Sequence, residues 1–357
     1  MPLDGGFDFA EHPGLVKRSG FGAAIDLGTT TIVARVYNLA TGELVHRAAL
    51  LNPQQRIAAD VMGRISAAMD GRLAELRDLA RGALRDCLSG YDISEAVVVG
   101  NTTMLYLFAG ESPKSYAVAP FAADRLFGEW MDWDGMNVRL PRCAHGFFGA
   151  DAVASVRMSG MCGRGGCELM VDVGTNGEIA LWCGRRRELF ITSVAAGPAF
   201  ERAGITGSQI ISSVAGALES GAIDPTGQVV GPLTDGLDQE DVRAVQLAKA
   251  AIRAGIEVLL EKAGVGYGEI SRLSIAGGLG SALDIGYASR IGLFPERLAP
   301  VAVICGNLAI EGATAALFSH PFAEQTDNIA VSARHVELGG DVGFFKAFMD
   351  AMYFPPS

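Results

Sequence analysis

The sequence predicts an α/β fold made of two duplicated halves that face each other across a cleft. An apolar run broken by an acid, a glycine and hydroxyls, FGAAIDLGTTTIVARVYNL (21–39), returns as LMVDVGTNGEIALW (169–182). Text of helical period follows each copy, so the order strand, turn, strand, then helices occurs twice. The length, 357 residues, suits two domains of ordinary size.

Residues 1–20, with Gly5-Gly6 and Pro13, read as an irregular leader. From Phe21 to Leu51 two or three β-rich runs are joined by turn chemistry, clearest at Ala40-Thr41-Gly42. Between Gln54 and Gly90 apolar residues recur every three to five positions, which predicts helix interrupted at Gly71. AVVVGNTTM is a short buried strand entering a polar turn at Asn101-Thr102-Thr103. Three prolines and two tryptophans within 111–145 predict irregular chain with short strands, and helix resumes at GADAVASVRMSG. After the second hairpin come a strand near LFITSV, helix from about Ser208 to Gly221, and the clearest helix of the chain, 238–263. Asp238 and Asp241 start that helix as a capping box and Gly264 ends it. LSIAGGLG then reads as a strand, SALDIGYASRIG as a helix, and VAVICGNLAIEGATAALF as a strand running into a small-residue helix. These boundaries divide the chain into a first subdomain (21–165), a second (166–320) and a C-terminal tail (321–357).

Composition narrows the function. A formal charge of −11 and the absence of any Lys/Arg-rich stretch disfavour nucleic acid. No basic then apolar leader and no run of about 18 apolar residues are present, so no membrane association and a cytoplasmic location are expected. The six cysteines are too scattered for a secreted disulfide framework, which leaves reduced thiols. Nothing in the sequence fixes the oligomeric state, and a homodimer remains open.

The glycine turns carry the chemistry. A hairpin turn reading Asp-x-Gly-Thr aims backbone N–H groups and hydroxyls at one point, because glycine permits close approach. That point suits a phosphate. The leading carboxylate, Asp26 or Asp172, would repel a bare phosphate but becomes favourable once Mg2+ and its water shell lie between them. Two facing turns would grip the phosphates of a nucleotide from both sides. At Ala276-Gly277-Gly278-Leu279-Gly280 missing side chains would let a purine and ribose lie against backbone.

DLGTTT (26–31), DVGTNGE (172–178), AGGLGS (276–281) and GNLAIEGATAAL (306–317) resemble the first phosphate, second phosphate, adenosine and second connecting motifs of the ASKHA superfamily of acetate and sugar kinases, Hsc70 and actin. Within it, ALLNPQQRIAADVMGRI (49–65), VVVGNTTMLYLFAG (97–110), HGFFGADAVASV (145–156), AAGPAFERAGI (195–205), LAKAAIRAGIEVLL (247–260) and ASRIGLFPE (288–296) resemble the ASKHA module of reductive activators of corrinoid proteins. The resemblance covers residues 21–318. It implies an actin-like ATPase fold, two RNase H-like subdomains facing a nucleotide cleft, with Mg-ATP (ATP and Mg2+) as cofactor. It also implies a corrinoid protein of a methyltransferase system as partner, whose inactive cob(II)amide is reduced to cob(I)amide at the expense of ATP.

On this resemblance Asp26 and Asp172 position Mg2+, while Gly28, Thr29, Thr30, Thr31, Gly174, Thr175 and Asn176 meet phosphates and Gly277 and Gly278 meet the adenosine. Glu178 orients water or metal, or is a solvated strand end. Asp151 orients the attacking water, or is a helix-start carboxylate. Asn101 reaches the cleft, or caps a helix. Relatives commonly carry a plant-type [2Fe–2S] domain ahead of this module. Here about 20 residues precede the first strand, and the one C-x4-C, Cys162 to Cys167, has Met170 where a third cysteine would fall. No iron–sulfur cluster is therefore expected in this chain, and a separate low-potential electron donor is. A small-molecule kinase and a non-catalytic nucleotide-binding module are the alternatives.

Overall fold

The computed structural model describes residues 18–118, 122–197, 199–200, 204–279 and 283–355. The leader (1–20) lies mostly outside the described residues, as do parts of the AAGPAFERAGI and AGGLGS motifs. By internal contact the chain forms two units: Met1–Met158 with Leu308–Ser332, and Ser159–Asn307 with Ala333–Ser357.

The first unit opens with β1 (Phe21–Leu27), β2 (Thr31–Asn38) and β3 (Leu44–Leu51). β1 is buried almost throughout, as a central strand must be, whereas β3 alternates toward solvent at the sheet edge. Helices α1 (Val61–Ala67) and α2 (Leu73–Cys87) follow, and Gly71, at φ +91°, breaks the helical run between them where the sequence predicts an interruption. Then come β4 (Ile93–Val99), α3 (Thr102–Ala109), the one-turn α4 (Lys114–Ala117), the hairpin β5 (Glu129–Trp133) and β6 (Met136–Leu140), and α5 (Ala150–Ser159).

The second unit restarts the plan with β7 (Cys167–Val173), β8 (Gly177–Cys183) and β9 (Glu188–Val194), then α6 (Gly207–Glu219) and α7 (Gln239–Ala263). Asp238 caps α7 in a reciprocal capping box with Asp241, and Gly264 closes it in the left-handed conformation. β10 (Ile270–Ala276), α8 (Ile285–Arg290) and β11 (Ala302–Gly306) follow. Helices α9 (Leu308–Phe318) and α10 (His320–Ser332) belong to the first unit; β12 (Arg334–His335) and α11 (Val342–Ala351) belong to the second.

The two sheets share a five-strand order, β3-β2-β1-β4-β6 in one and β9-β8-β7-β10-β11 in the other, with the sixth strand, β5 or β12, at opposite edges. In each, the first strand pairs antiparallel with its hairpin partner and parallel with the strand that follows the helices. The parallel register aligns Asp26 with Val99 and Asp172 with Ala276, so each acid, one residue before the end of its own strand, lies beside the end of a neighbour.

Two segments differ from the division 21–165, 166–320 and tail. Leu308–Phe318 packs on β1 and β4 rather than on the sheet it leaves, and its small, almost wholly buried residues (Ala309, Gly312, Ala313, Ala316) let it lie close; on the side of α5, a Cβ on Gly312 would stand 2.8 Å from that of Ala154. Residues 321–357 hold two helices and a strand, with Asp341 capping α11 and Phe344 and Phe348 packed on the second core.

Candidate functional site

In the first unit the hairpin from β1 to β2 turns through Gly28, Thr29 and Thr30, and three successive carbonyls are tied to the segment that follows β3. Gly28 O accepts from Asn52 Nδ2 (2.9 Å), Thr29 O from Arg64 Nη2 (2.7 Å), and Thr30 O from the Asn52 amide (2.8 Å) and Gln55 Nε2 (3.2 Å). In a trans peptide the N–H of one residue points opposite the carbonyl of the residue before it. Drawing carbonyls 28–30 toward residues 52–64 therefore turns the amides of Thr29, Thr30 and Thr31 to the other side together. Successive amides aimed at one place form an anion-binding concavity.

Arg64 is the centre of this strap. It is fully buried, with Nε donating to Ala58 O (3.1 Å) and Nη1 to Gln54 Oε1 (3.1 Å) and Met104 Sδ (3.1 Å). Burial pushes its pKa down to about 10, with Asp60 acting weakly the other way. The guanidinium stays charged at neutral pH and sets a cation behind the turn.

Asn101 caps a helix and also reaches the first turn. Its Oδ1 caps α3 by accepting from the Met104 amide (3.0 Å), and its Nδ2 donates to Thr29 Oγ1 (2.9 Å). The α5 start is drawn to the same place, since Gly100 O accepts from the amides of Ala150 (3.0 Å) and Asp151 (3.4 Å). Asp151 sits in the first turn of α5 with its Oδ1 accepting from the Ala152 amide (2.8 Å). The first unit thus gathers Asp26, Gly28, the three threonines, Asn101 and Asp151 around the strand ends of β1 and β4.

The second unit gathers the rest. Glu178 stands directly opposite Asp172 across the β7–β8 hairpin. Like charges opposite one another are unfavourable in a sheet, and a divalent cation would offset that repulsion. Gly277 follows β10 at φ +93°, its amide donating to Gly306 O (3.1 Å), and a Cβ there would fall 2.5 Å from Asp172 Oδ1 and 2.6 Å from Val173 O. Only glycine fits. Gly278 is exposed beside it, Thr175 is buried in the turn, and the Gly174 amide donates to Asn176 O (3.0 Å).

Among the described residues no three His, Cys, Asp or Glu side chains group to hold a metal on their own. Single carboxylates at strand ends suit Mg2+ instead, which keeps most of its waters and takes one or two protein carboxylates together with phosphate oxygens. Asn52, Gln54, Gln55 and Arg64 lie in a stretch that carried the resemblance, yet sequence reading assigned them no role. The available signal was an arginine lodged between Val61 and Ile65 on the apolar side of a short helix.

A family model described as the C-terminal domain of RACo, the ASKHA domain, matches residues 166–203 and 202–357, and one described as the RACo middle region matches 21–164. The chain belongs to the RACo family. It is 29% identical to the corrinoid activation enzyme RamQ of Eubacterium limosum, covering 92% of this chain and 69% of that protein. It is 23% identical to the [Co(II) methylated amine-specific corrinoid protein] reductase of Methanosarcina barkeri, covering 77% and 66%. A solved structure of the reductive activator for corrinoid,iron-sulfur protein superposes with a TM-score of 0.87 at 25% identity, covering 96% of this chain and 67% of that one. The fold is thus the actin-like ASKHA fold, and the chain spans about two thirds of the length of these RACo-type relatives. No helix among the described residues is long and apolar enough to cross a membrane.

Proposed function

We propose that this chain is a Mg-ATP-dependent activator of a corrinoid protein. ATP binding and hydrolysis are coupled to the one-electron reduction of cob(II)amide to cob(I)amide, the electron coming from a separate low-potential donor. The tied-back turn at Gly28–Thr30 carries the nucleotide half of this reading, because it collects amides for an anion beside a carboxylate. The names of the relatives support the corrinoid half.

In this reading Asp26 and Asp172 would hold Mg2+, which when bound would supply neutralisation of the phosphate charge. Gly28, Thr29, Thr30 and Thr31 on one turn, and Gly174, Thr175 and Asn176 on the other, donate to phosphate oxygens. Asn101 fixes the Thr29 hydroxyl, so that threonine enters the site already oriented. Gly277 and Gly278 leave the backbone bare for the adenosine. Asp151 would orient the attacking water, and Glu178 would help to orient water or metal there.

Reduction to cob(I)amide is uphill, so ATP can drive it only by favouring a state in which the reduced corrinoid is better bound. A nucleotide of equal affinity for both states would shift nothing. The test is Mg-ATP binding by titration calorimetry to Asp26→Ala and Asp172→Ala. Each is expected to weaken binding at least about tenfold, or 1.4 kcal/mol, and wild-type affinity in both would end the nucleotide reading.

A further inference from the structure

Cys167 opens β7 and Cys183 closes β8, and the antiparallel register sets them directly opposite one another. The kind of pairing follows from the hydrogen bond one step further out, where the Gly184 amide donates to Gly166 O (3.0 Å). Gly166 and Gly184 therefore form a hydrogen-bonded pair, and narrow and wide pairs alternate, so Cys167 and Cys183 occupy a non-hydrogen-bonded position. There the Cα atoms approach to about 4.5 Å, inside the roughly 4.4–6.8 Å span a disulfide bridges. Both side chains lie on the face that carries Leu169, Val171, Ile179 and Leu181 into the second core.

We propose that Cys167 and Cys183 are a redox pair that closes reversibly into a cross-strand disulfide. The inference is independent of the nucleotide reading, because it rests on the register and not on the turn at the other end of the hairpin. Cys167 is half-buried and Cys183 buried, so an external disulfide meets Cys167 first. The Cys167 thiolate attacks one sulfur of the reagent, whose S–S bond breaks to release a thiolate. Cys183 then attacks Cys167 Sγ in the mixed disulfide and expels the second reagent sulfur as a thiolate. The two thiol protons pass to the released thiolates, and two electrons leave the protein to reduce the reagent to its dithiol. Arg186 Nη2 donates to Cys183 Sγ (3.5 Å) and sets a positive charge beside the sulfur that makes the second attack. Burial, then the neighbouring Cys183, pushes the Cys167 thiol up, so the pair reacts slowly at neutral pH and faster as pH rises.

This pairing differs from the one suggested by the spacing of Cys162 and Cys167. Cys162 sits in the short turn Met161–Gly163, outside the strand pair. The bridge would join the open end of the hairpin whose closed end carries Asp172, and so pin the two strands that support the second turn.

The test is a titration of the full chain between reduced and oxidised dithiothreitol, followed by blocking of remaining thiols and peptide mass mapping without reductant. A Cys167–Cys183 link that appears on oxidation, disappears on reduction, persists in Cys162→Ser and is lost in Cys167→Ser is expected. Amide hydrogen exchange within Glu168–Trp182 is expected to slow in the oxidised wild type, a readout that needs no variant to fold. A link between Cys162 and Cys167, or unchanged thiol accessibility and exchange across the titration, would overturn the proposal.

Discussion

Arg64→Met tests the strap behind the first turn. The substitution keeps the length and apolar stem of the side chain but removes the donors to Thr29 O, Ala58 O and Gln54 Oε1. A buried acceptor left without a donor costs about 1–3 kcal/mol. Gln54 Oε1 keeps a second donor in Asn52 Nδ2 (3.3 Å), so the loss falls mainly on the two backbone carbonyls. Working the other way, burial lowers the Arg64 pKa to about 10 from an ordinary value of about 12.5, a desolvation cost of roughly 3 kcal/mol that methionine does not carry. The two effects largely oppose each other in stability, and a net loss of about 1–2 kcal/mol is expected, a fall in Tm of several degrees. They do not oppose each other at the turn. Without the guanidinium, the Thr29 carbonyl is no longer held back and the amides of Thr29–Thr31 lose their common direction, so Kd for Mg-ATP should rise about tenfold or more. Calorimetry at a temperature where circular dichroism shows the variant fully folded separates the two outcomes. A folded Arg64→Met protein that binds Mg-ATP within about twofold of wild type would refute the reasoning.

Lys249 gives the second unit a pH dependence. It is buried in α7, its Nζ donates to Tyr353 O (2.5 Å) and lies 4.8 Å from the Phe354 ring, and burial, then Arg253, pushes its pKa down to about 7. The unfolded chain holds that proton up to about pH 10, so stability is lowest below about 7 and rises as pH is raised from there toward 10. The urea midpoint should climb across that range in wild type and stay nearly flat in Lys249→Met; parallel curves would show that Lys249 is not the group. Asp151→Asn should leave the Kd for Mg-ATP near wild type while lowering hydrolysis by about 100-fold or more, whereas an unchanged rate would leave Asp151 with no part beyond the start of α5.

The parts legible in the sequence were those set by local chemistry. Both Asp-x-Gly-Thr hairpins, the capping box at Asp238, the stop at Gly264 and the break at Gly71 each arise from residues a few positions apart. The repeated run of strand, turn, strand and helices followed from recognising the repeat. What escaped was set by partners distant in the chain. Nothing in the period of Leu308–Phe318 says which sheet it covers; that is set by partners distant in the chain, among them Tyr37 on β2, whose hydroxyl meets Thr314 and whose ring meets Phe318. Helix α11 was legible in principle, since Asp341 precedes a run with apolar residues at 344, 345, 348 and 349, but a short segment near the chain end reads as a tail without its packing partner α7. At the site, the acids and glycines of the turns were visible because the motif names them. Asn52, Gln55 and Arg64 were not, because they act on backbone carbonyls that leave no trace in sequence. The Cys167–Cys183 pairing was implicit once the turn was centred on residues 174–176, yet the shorter C-x4-C spacing drew attention instead.

The most direct test of the account is the cobalt spectrum. A corrinoid protein in the cob(II)amide state is mixed with this chain and an external low-potential reductant, and the absorption of cob(I)amide is followed with and without Mg-ATP. Conversion that requires Mg-ATP, and is lost in both Asp26→Ala and Asp172→Ala, is the expected result. Conversion that proceeds equally without nucleotide, or no conversion while the same chain phosphorylates a small metabolite, would contradict it.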